Sequence, residues 1–132
     1  MINTKDIKFL KMSIKICKNV SIDFRSRHAA ILTINNKIIS IGINKSKTHP
    51  LQKKYSRHPS LTAIHAEIDC LSRVDKDSLD GHRTTLYIAM INPDGSPHLS
   101  CPCSGCSKAI NDYNIDRIIY TTNDGIAERI KS

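Results

Sequence analysis

The chain has 132 residues, 39% of them hydrophobic and 24% charged, the proportions of a soluble globular protein long enough to bury a core without disulfide staples. No apolar run nears the ~20 residues of a membrane span, and residues 1–20 mix Lys and Asp into their apolar positions, so neither a membrane helix nor a secretory signal is expected. The formal charge of +8 admits a polyanionic partner or a phosphorylated substrate, although Lys, Ile and Asn are abundant together and compositional drift explains the charge more simply.

In chain order, Ile7, Leu10, Ile14 and Cys17 recur at helical spacing and define one face of a first helix. Residues 27–34 and 37–44 are β-rich runs around Asn35-Asn36, a pair that tolerates the positive φ of a tight hairpin turn. Residues 45–61 are polar and basic, with Pro50 and Pro59, and read as one long loop. A helix carrying Ile64, Ile68 and Leu71 on one face follows, then an Asp80-Gly81 turn and a strand over Thr84–Ile91. Asn92–Ser100 is a loop, a helix spans about Cys103–Asn111, and Asp116–Thr121 is the last strand. Gly125–Lys131 is expected to be a short terminal helix. Helices alternating with strands after a hairpin argue for a mixed sheet covered by helices. With no repeat, linker or low-complexity tract, one domain over 1–132 is expected.

There are five cysteines, Cys17, Cys70, Cys101, Cys103 and Cys106. An odd number, three of them crowded, points away from a disulfide framework and toward a reducing, cytoplasmic setting in which the cluster binds metal or reacts. Cys17 and Cys70 fall in helical segments and read as small buried hydrophobes. His65-Ala66-Glu67 opens one helix and Pro102-Cys103-Ser104-Gly105-Cys106 opens another. Helix N-termini stabilise thiolates through their free N–H groups and the positive end of the dipole. Cys103 and Cys106, at i and i+3, can turn both sulfurs to one side. With one imidazole they make three ligands, and a catalytic zinc keeps its fourth position for water, whose pKa falls from about 16 toward ~7. A neighbouring carboxylate can then move the proton. Glu67 and His65, at i and i+2, do not share a helical face, so both serve one site only if they project from the helix end.

These residues follow the H-x-E…P-C-x-x-C pattern of zinc deaminases, and the chain resembles the cytidine/deoxycytidylate deaminase superfamily. The similarity runs from about Ala29 to Tyr120 and includes the His65–Glu67 helix, the Leu86-Tyr87 strand, the Pro102–Cys106 motif, the Ala109-Ile110 continuation and the Ile118–Tyr120 strand. It implies an α/β fold, a three-layer α/β/α domain with a mixed central sheet of four to five strands. It implies zinc on His65, Cys103 and Cys106, Glu67 as proton shuttle, and hydrolytic deamination of a cytosine nucleotide or nucleoside, such as deoxycytidylate, to the uracil form. Asn44 matches a family position that contacts the substrate sugar, and Ala66 joins the substrate-contact set. The helix after Cys106 leading into a further strand looks like the deoxycytidylate and tRNA-adenosine branches, whose last strands run parallel. Little chain follows the fourth strand, so the family's fifth strand is expected to be short or absent. Residues 46–61 carry no pattern for a regulatory nucleotide site, and the family's habit of assembling raises a homo-oligomer as an expectation.

Plainer readings compete. The C-x-x-C pair alone could be a redox couple or half of a structural zinc site closed by Cys101, which would leave Glu67 a simple helix-dipole charge and the protein without activity. His28, His49, His58, His82 and His98 read as surface or loop residues, although His49, His58, Lys53 and Lys54 could meet a substrate phosphate and Tyr55 could stack on a base. A deaminase acting on cytosine or adenine in single-stranded DNA or RNA is the main rival to a small-molecule enzyme. Aromatics at 5% and the absence of Trp count against the stacking platform that such binding uses.

Overall fold

The computed structural model describes residues 2–20, 27–45, 50–55 and 64–130. A five-stranded sheet in the order β2-β1-β3-β4-β5 organises the molecule. Its strands are β1 Arg27–Ile34, β2 Lys37–Ile43, β3 Thr84–Ile91, β4 Arg117–Thr121 and β5 Ile126–Ile130. The helices are α1 Thr4–Cys17, α2 Pro50–Tyr55, α3 Ala66–Leu71 and α4 Ser104–Asp112, with a single 3-10 turn at Lys76–Leu79. No described helix is long and apolar enough to cross a membrane.

The expected hairpin forms: β1 and β2 pair antiparallel, and Asn35 and Asn36 take φ of 49° and 67°, the doubly positive turn whose twist matches that of the strands. β1 pairs antiparallel with β3, and β3 pairs parallel with β4. A parallel pair needs a crossover connection, and α4 supplies it. Alternation then divides the core into two layers. Ala30, Leu32, Leu86, Ile88 and Ile118 pack against Ile68, Leu71, Cys106, Ala109 and Ile110 on the α3–α4 face. Ile31, Tyr87 and Ile119 pack against Phe9 and Leu10 of α1 on the other. The result is the α/β/α arrangement with a mixed sheet that the family resemblance implies.

Four expectations need correction. The terminal segment is a strand, not a helix: β5 pairs antiparallel with β4, Arg117 opposite Ile130 and Thr121 opposite Ile126. The last two strands are therefore antiparallel, not parallel, because residues 122–125 are too few for a crossover. The basic loop of residues 45–61 contains α2, started by Pro50, a residue suited to the first helical turn. The buried stripe of α1 runs through Asp6, Phe9, Leu10, Ser13 and Cys17, with Ile7 38% exposed. Polar residues hold that stripe because the Asp6 carboxylate accepts from Tyr87 Oη at 2.7 Å and from Arg117 Nη2 at 2.8 Å. Cys17 and Cys70 are fully buried, as expected.

Candidate active site

Two helix N-termini meet under the sheet's α3–α4 face. His65 is the N-cap of α3, with extended backbone at φ −76° and ψ 152°, and Ala66 begins the helix. The break from helical geometry settles how residues at i and i+2 serve one place: His65 leaves the helix axis while Glu67 points inward from the first turn. Asp69 anchors this turn to β2, its carboxylate accepting the Ile43 N–H at 3.0 Å and pairing with Lys45 and Arg73. Gly42 of β2 lies directly beneath, so close that a Cβ there would overlap Ala66 and Cys70 backbone. From the other side Gln52 of α2, 4% exposed, accepts the His65 backbone N–H through Oε1 at 2.9 Å.

The second N-terminus is pinned by Ser100. Its hydroxyl donates to the Ile88 carbonyl at 2.9 Å, and its N–H donates to the Thr121 carbonyl at 2.9 Å, fixing the loop to β3 and to the end of β4. Cys103 follows as the N-cap of α4, one residue before the helix proper, and its sulfur accepts the Cys106 N–H at 3.4 Å. Gly105 lets α2 approach, because a Cβ there would strike the Tyr55 carbonyl. Tyr55 Oη donates to Asp112 at 2.7 Å and its ring is buried, so it braces α2 against α4 and is not placed to stack on a base.

His65, Cys103 and Cys106 are brought together, their ligand atoms all within 4.8 Å of one another. His65 Nδ1 lies 3.2 Å from Cys106 Sγ and 3.8 Å from Cys103 Sγ. A tetrahedral zinc with Zn–N of ~2.0 Å and Zn–S of ~2.3 Å separates a ligand nitrogen from a sulfur by about 3.5 Å, and the two distances straddle that value. Two thiols and one imidazole are also a donor set that zinc favours. Cys101 stands apart from this group. It is exposed, with Sγ 4.0 Å from Arg129 Nη1, and it does not complete a four-ligand closed site.

The protonation states suit the same chemistry. Hydrogen bonds from Cys106 and then His65 pull the Cys103 thiol down to about 3, while Cys103 and burial push Cys106 up. The lowered Cys103 favours the thiolate form, the form in which cysteine binds a divalent cation. The bond to Cys103 raises His65, with burial opposing. Glu67 is 4% exposed; burial raises its pKa, opposed by a backbone N–H and by His65, and its carboxyl bonds the Cys106 side chain. It is a carboxyl in a dry place beside the His65–Cys103–Cys106 group, where a group that must both take and give a proton is useful.

The other expected residues divide. Asn44 stands at the end of β2 with Oδ1 accepting the His28 N–H at 2.8 Å. Ala66 is fully buried at the helix start. Lys53 is exposed on α2 beside Gln52. His49 and His58 lie outside the described residues. His28 is not a surface residue: it is half-buried on β1, and burial followed by nearby His65 lowers its pKa to about 4. Sequence reasoning also missed Gln52 and Ser100, whose roles depend on long-range contacts with no local signature.

The sequence pattern described as the cytidine and deoxycytidylate deaminase zinc-binding region matches residues 3–122. The chain belongs to the cytidine and deoxycytidylate deaminase family. Among solved structures it is similar to the dCMP deaminase of cyanophage S-TIM5 in complex with dCMP and dUMP, at 22% identity and a TM-score of 0.63, over 91% of this chain and 82% of that one. The apo form of that enzyme gives 23% identity and a TM-score of 0.59, over 91% and 84%. Cytidine deaminase from Mycobacterium leprae gives 14% identity and 0.52, over 90% and 88%. No curated protein matches by sequence. At these identities the structural likeness speaks to the fold.

Proposed function

We propose that the protein is a zinc-dependent hydrolytic deaminase that converts a free cytosine nucleotide or nucleoside, deoxycytidylate foremost, to its uracil form and ammonia. One observation carries this reading: a buried carboxyl, Glu67, beside a three-ligand His65–Cys103–Cys106 group whose spacing suits zinc. Zinc bound there supplies an acidified water at neutral pH. Glu67 takes one proton from the attacking water and passes it to the ring nitrogen; it then takes the second proton from the hydroxyl of the tetrahedral adduct and gives it to the departing amine, so the C–N bond breaks as the C–O bond becomes a carbonyl. Its raised pKa supports both halves of that transfer. Asn44 positions the sugar, and Ala66 at the start of α3 lines the reacting end. Lys53 and His49 are assigned to the phosphate.

The choice of a free nucleotide over a polynucleotide draws support from charge placement. Lys5, Lys8, Lys11, Lys15 and Lys18 are exposed on or just after α1, the layer on the far side of the sheet from the cluster, where they form no track toward it. The dCMP complex of the cyanophage enzyme adds a family precedent for a monophosphate.

The test is to incubate zinc-loaded protein with cytidine, deoxycytidine, their monophosphates, adenosine monophosphate and short single-stranded DNA and RNA, following by mass spectrometry the gain of about one dalton on replacing amine by oxygen. Turnover of a cytosine monophosphate but not of oligomers is expected. Turnover of oligomers alone would transfer the activity to nucleic acid. Bound zinc without any turnover would overturn the enzyme reading.

A further inference from the structure

Side chains alternate along a strand, so His28 of β1 points to the same face as Ala30 and Leu32, which pack toward α3 and α4. The register places Gly42, Ala30 and Ile88 in one row across β2, β1 and β3. Gly42 lies under the backbone of Ala66 and Cys70, so that row runs beneath the first turn of α3. The next row outward is Asn44, His28 and Met90: His28 is paired with Met90, and Asn44 Oδ1 holds the His28 N–H. This row emerges just past the N-terminus of α3, where His65 stands as the cap. His28 accordingly interacts electrostatically with His65 and Cys103, and also with His98, which is held over the end of β3 by its N–H bond to the Met90 carbonyl at 2.9 Å.

A half-buried imidazole is a costly way to fill the end of a sheet unless its polar edge is used. Burial keeps this one neutral at physiological pH, with its pKa near 4, so it offers one N–H donor, one nitrogen acceptor and a flat ring face. The edge of a pyrimidine carrying ring nitrogen, carbonyl and amine is complementary to that set.

We propose that His28 is a specificity-determining residue of the site, contacting the pyrimidine ring on the sheet side of the metal cluster, with Asn44 and Met90 completing the floor beneath the nucleotide. This inference rests on the deaminase reading, and its test separates the two. Wild type, His28→Val, His28→Ala and His28→Asn are each compared for zinc content, thermal midpoint, kcat and KM with dCMP, and equilibrium binding of dUMP by calorimetry. Zinc content in all three variants should stay at the wild-type level. KM and the dUMP Kd should rise together by about tenfold or more in His28→Val and His28→Ala, as expected for loss of a ligand hydrogen bond. His28→Asn, which keeps a donor and an acceptor, should recover part of the loss. Wild-type KM and dUMP affinity in a folded, zinc-loaded His28→Val would overturn the role of His28 while leaving the deaminase reading intact. A zinc-loaded wild type that turns over neither cytidine, deoxycytidine nor their monophosphates, and binds none of the uracil products, would overturn both.

Discussion

Gly42→Ala is a single methyl group placed where the sheet touches α3, the helix that carries Glu67. Gly42 adopts ordinary strand backbone, so the substitution carries no dihedral penalty and acts through contact alone. Its Cβ would lie 2.8 Å from the Cys70 Cα and closer still to the Ala66 carbonyl oxygen and the Cys70 nitrogen, where ordinary contact begins at 3.4 Å. All three are backbone atoms, so no rotamer change relieves the clash, and restoring ordinary contact at the nearest of them requires α3 to withdraw by about 1 Å. Overpacking of this kind costs about 1–3 kcal/mol, or roughly 4–12 °C in thermal midpoint for a chain of this length. Because α3 carries both His65 and Glu67, the shift also separates them from Cys103 and Cys106 on α4. Displacements approaching 1 Å cost up to about a hundredfold in rate. We expect a folded variant with kcat/KM reduced by roughly 10- to 100-fold and weaker zinc retention on titration with a chelator. Thermal denaturation, deaminase kinetics and metal analysis together check this. A Gly42→Ala protein with wild-type stability and activity would refute the close packing of β2 on α3.

Two further predictions concern the proposed metal ligands and the far layer. Replacing Cys106 or Cys103 by Ser should leave substoichiometric zinc after dialysis, whereas Cys101→Ser should retain it, since Cys101 lies outside the ligand group; metal analysis of the three proteins decides. Asp6 is buried, which opposes its ionisation, but Arg117, Tyr87 and Asn3 outweigh that cost and hold its carboxyl below 3.8. The stability this contributes is whole above the unfolded pKa near ~4 and is lost as pH falls through the folded value. Asp6→Asn should therefore be destabilised by about 3 kcal/mol at pH 7 and show a flatter stability profile than wild type as pH falls below ~4. Urea unfolding across that range measures the difference, and parallel profiles would contradict the assignment.

Much of the site was legible in the sequence because its residues carry chemistry in short spans. His65-Ala66-Glu67 and Pro102–Cys106 fix both helix starts, and the two N-caps turn their side chains toward each other. The Asn35-Asn36 hairpin and the succession of strand, helix and strand over residues 84–121 were also readable, from turn chemistry and periodicity, but not how those strands pair. What escaped depends on contacts distant in sequence. The burial stripe of α1 was drawn one position off because Asp6 and Ser13 look like surface residues until Arg117 and Tyr87 are seen to satisfy Asp6. Gly125–Lys131 carries no firm period that separates helix from strand, and only pairing with β4 makes Ile126–Ile130 a strand. Gln52 lies in a basic segment and His28 at the polar start of a strand, yet one holds the His65 backbone and the other stands half-buried near the cluster.

The most direct test of the central claim is Glu67→Gln, assayed at once for zinc content and for deamination of dCMP. The substitution keeps size and hydrogen-bonding capacity but removes the exchangeable proton. We predict zinc retained at the wild-type level, a thermal midpoint near wild type, and kcat reduced by about 10²- to 10⁴-fold. A zinc-loaded Glu67→Gln protein that deaminates dCMP at the wild-type rate would contradict the assignment of Glu67 as the group that moves the proton.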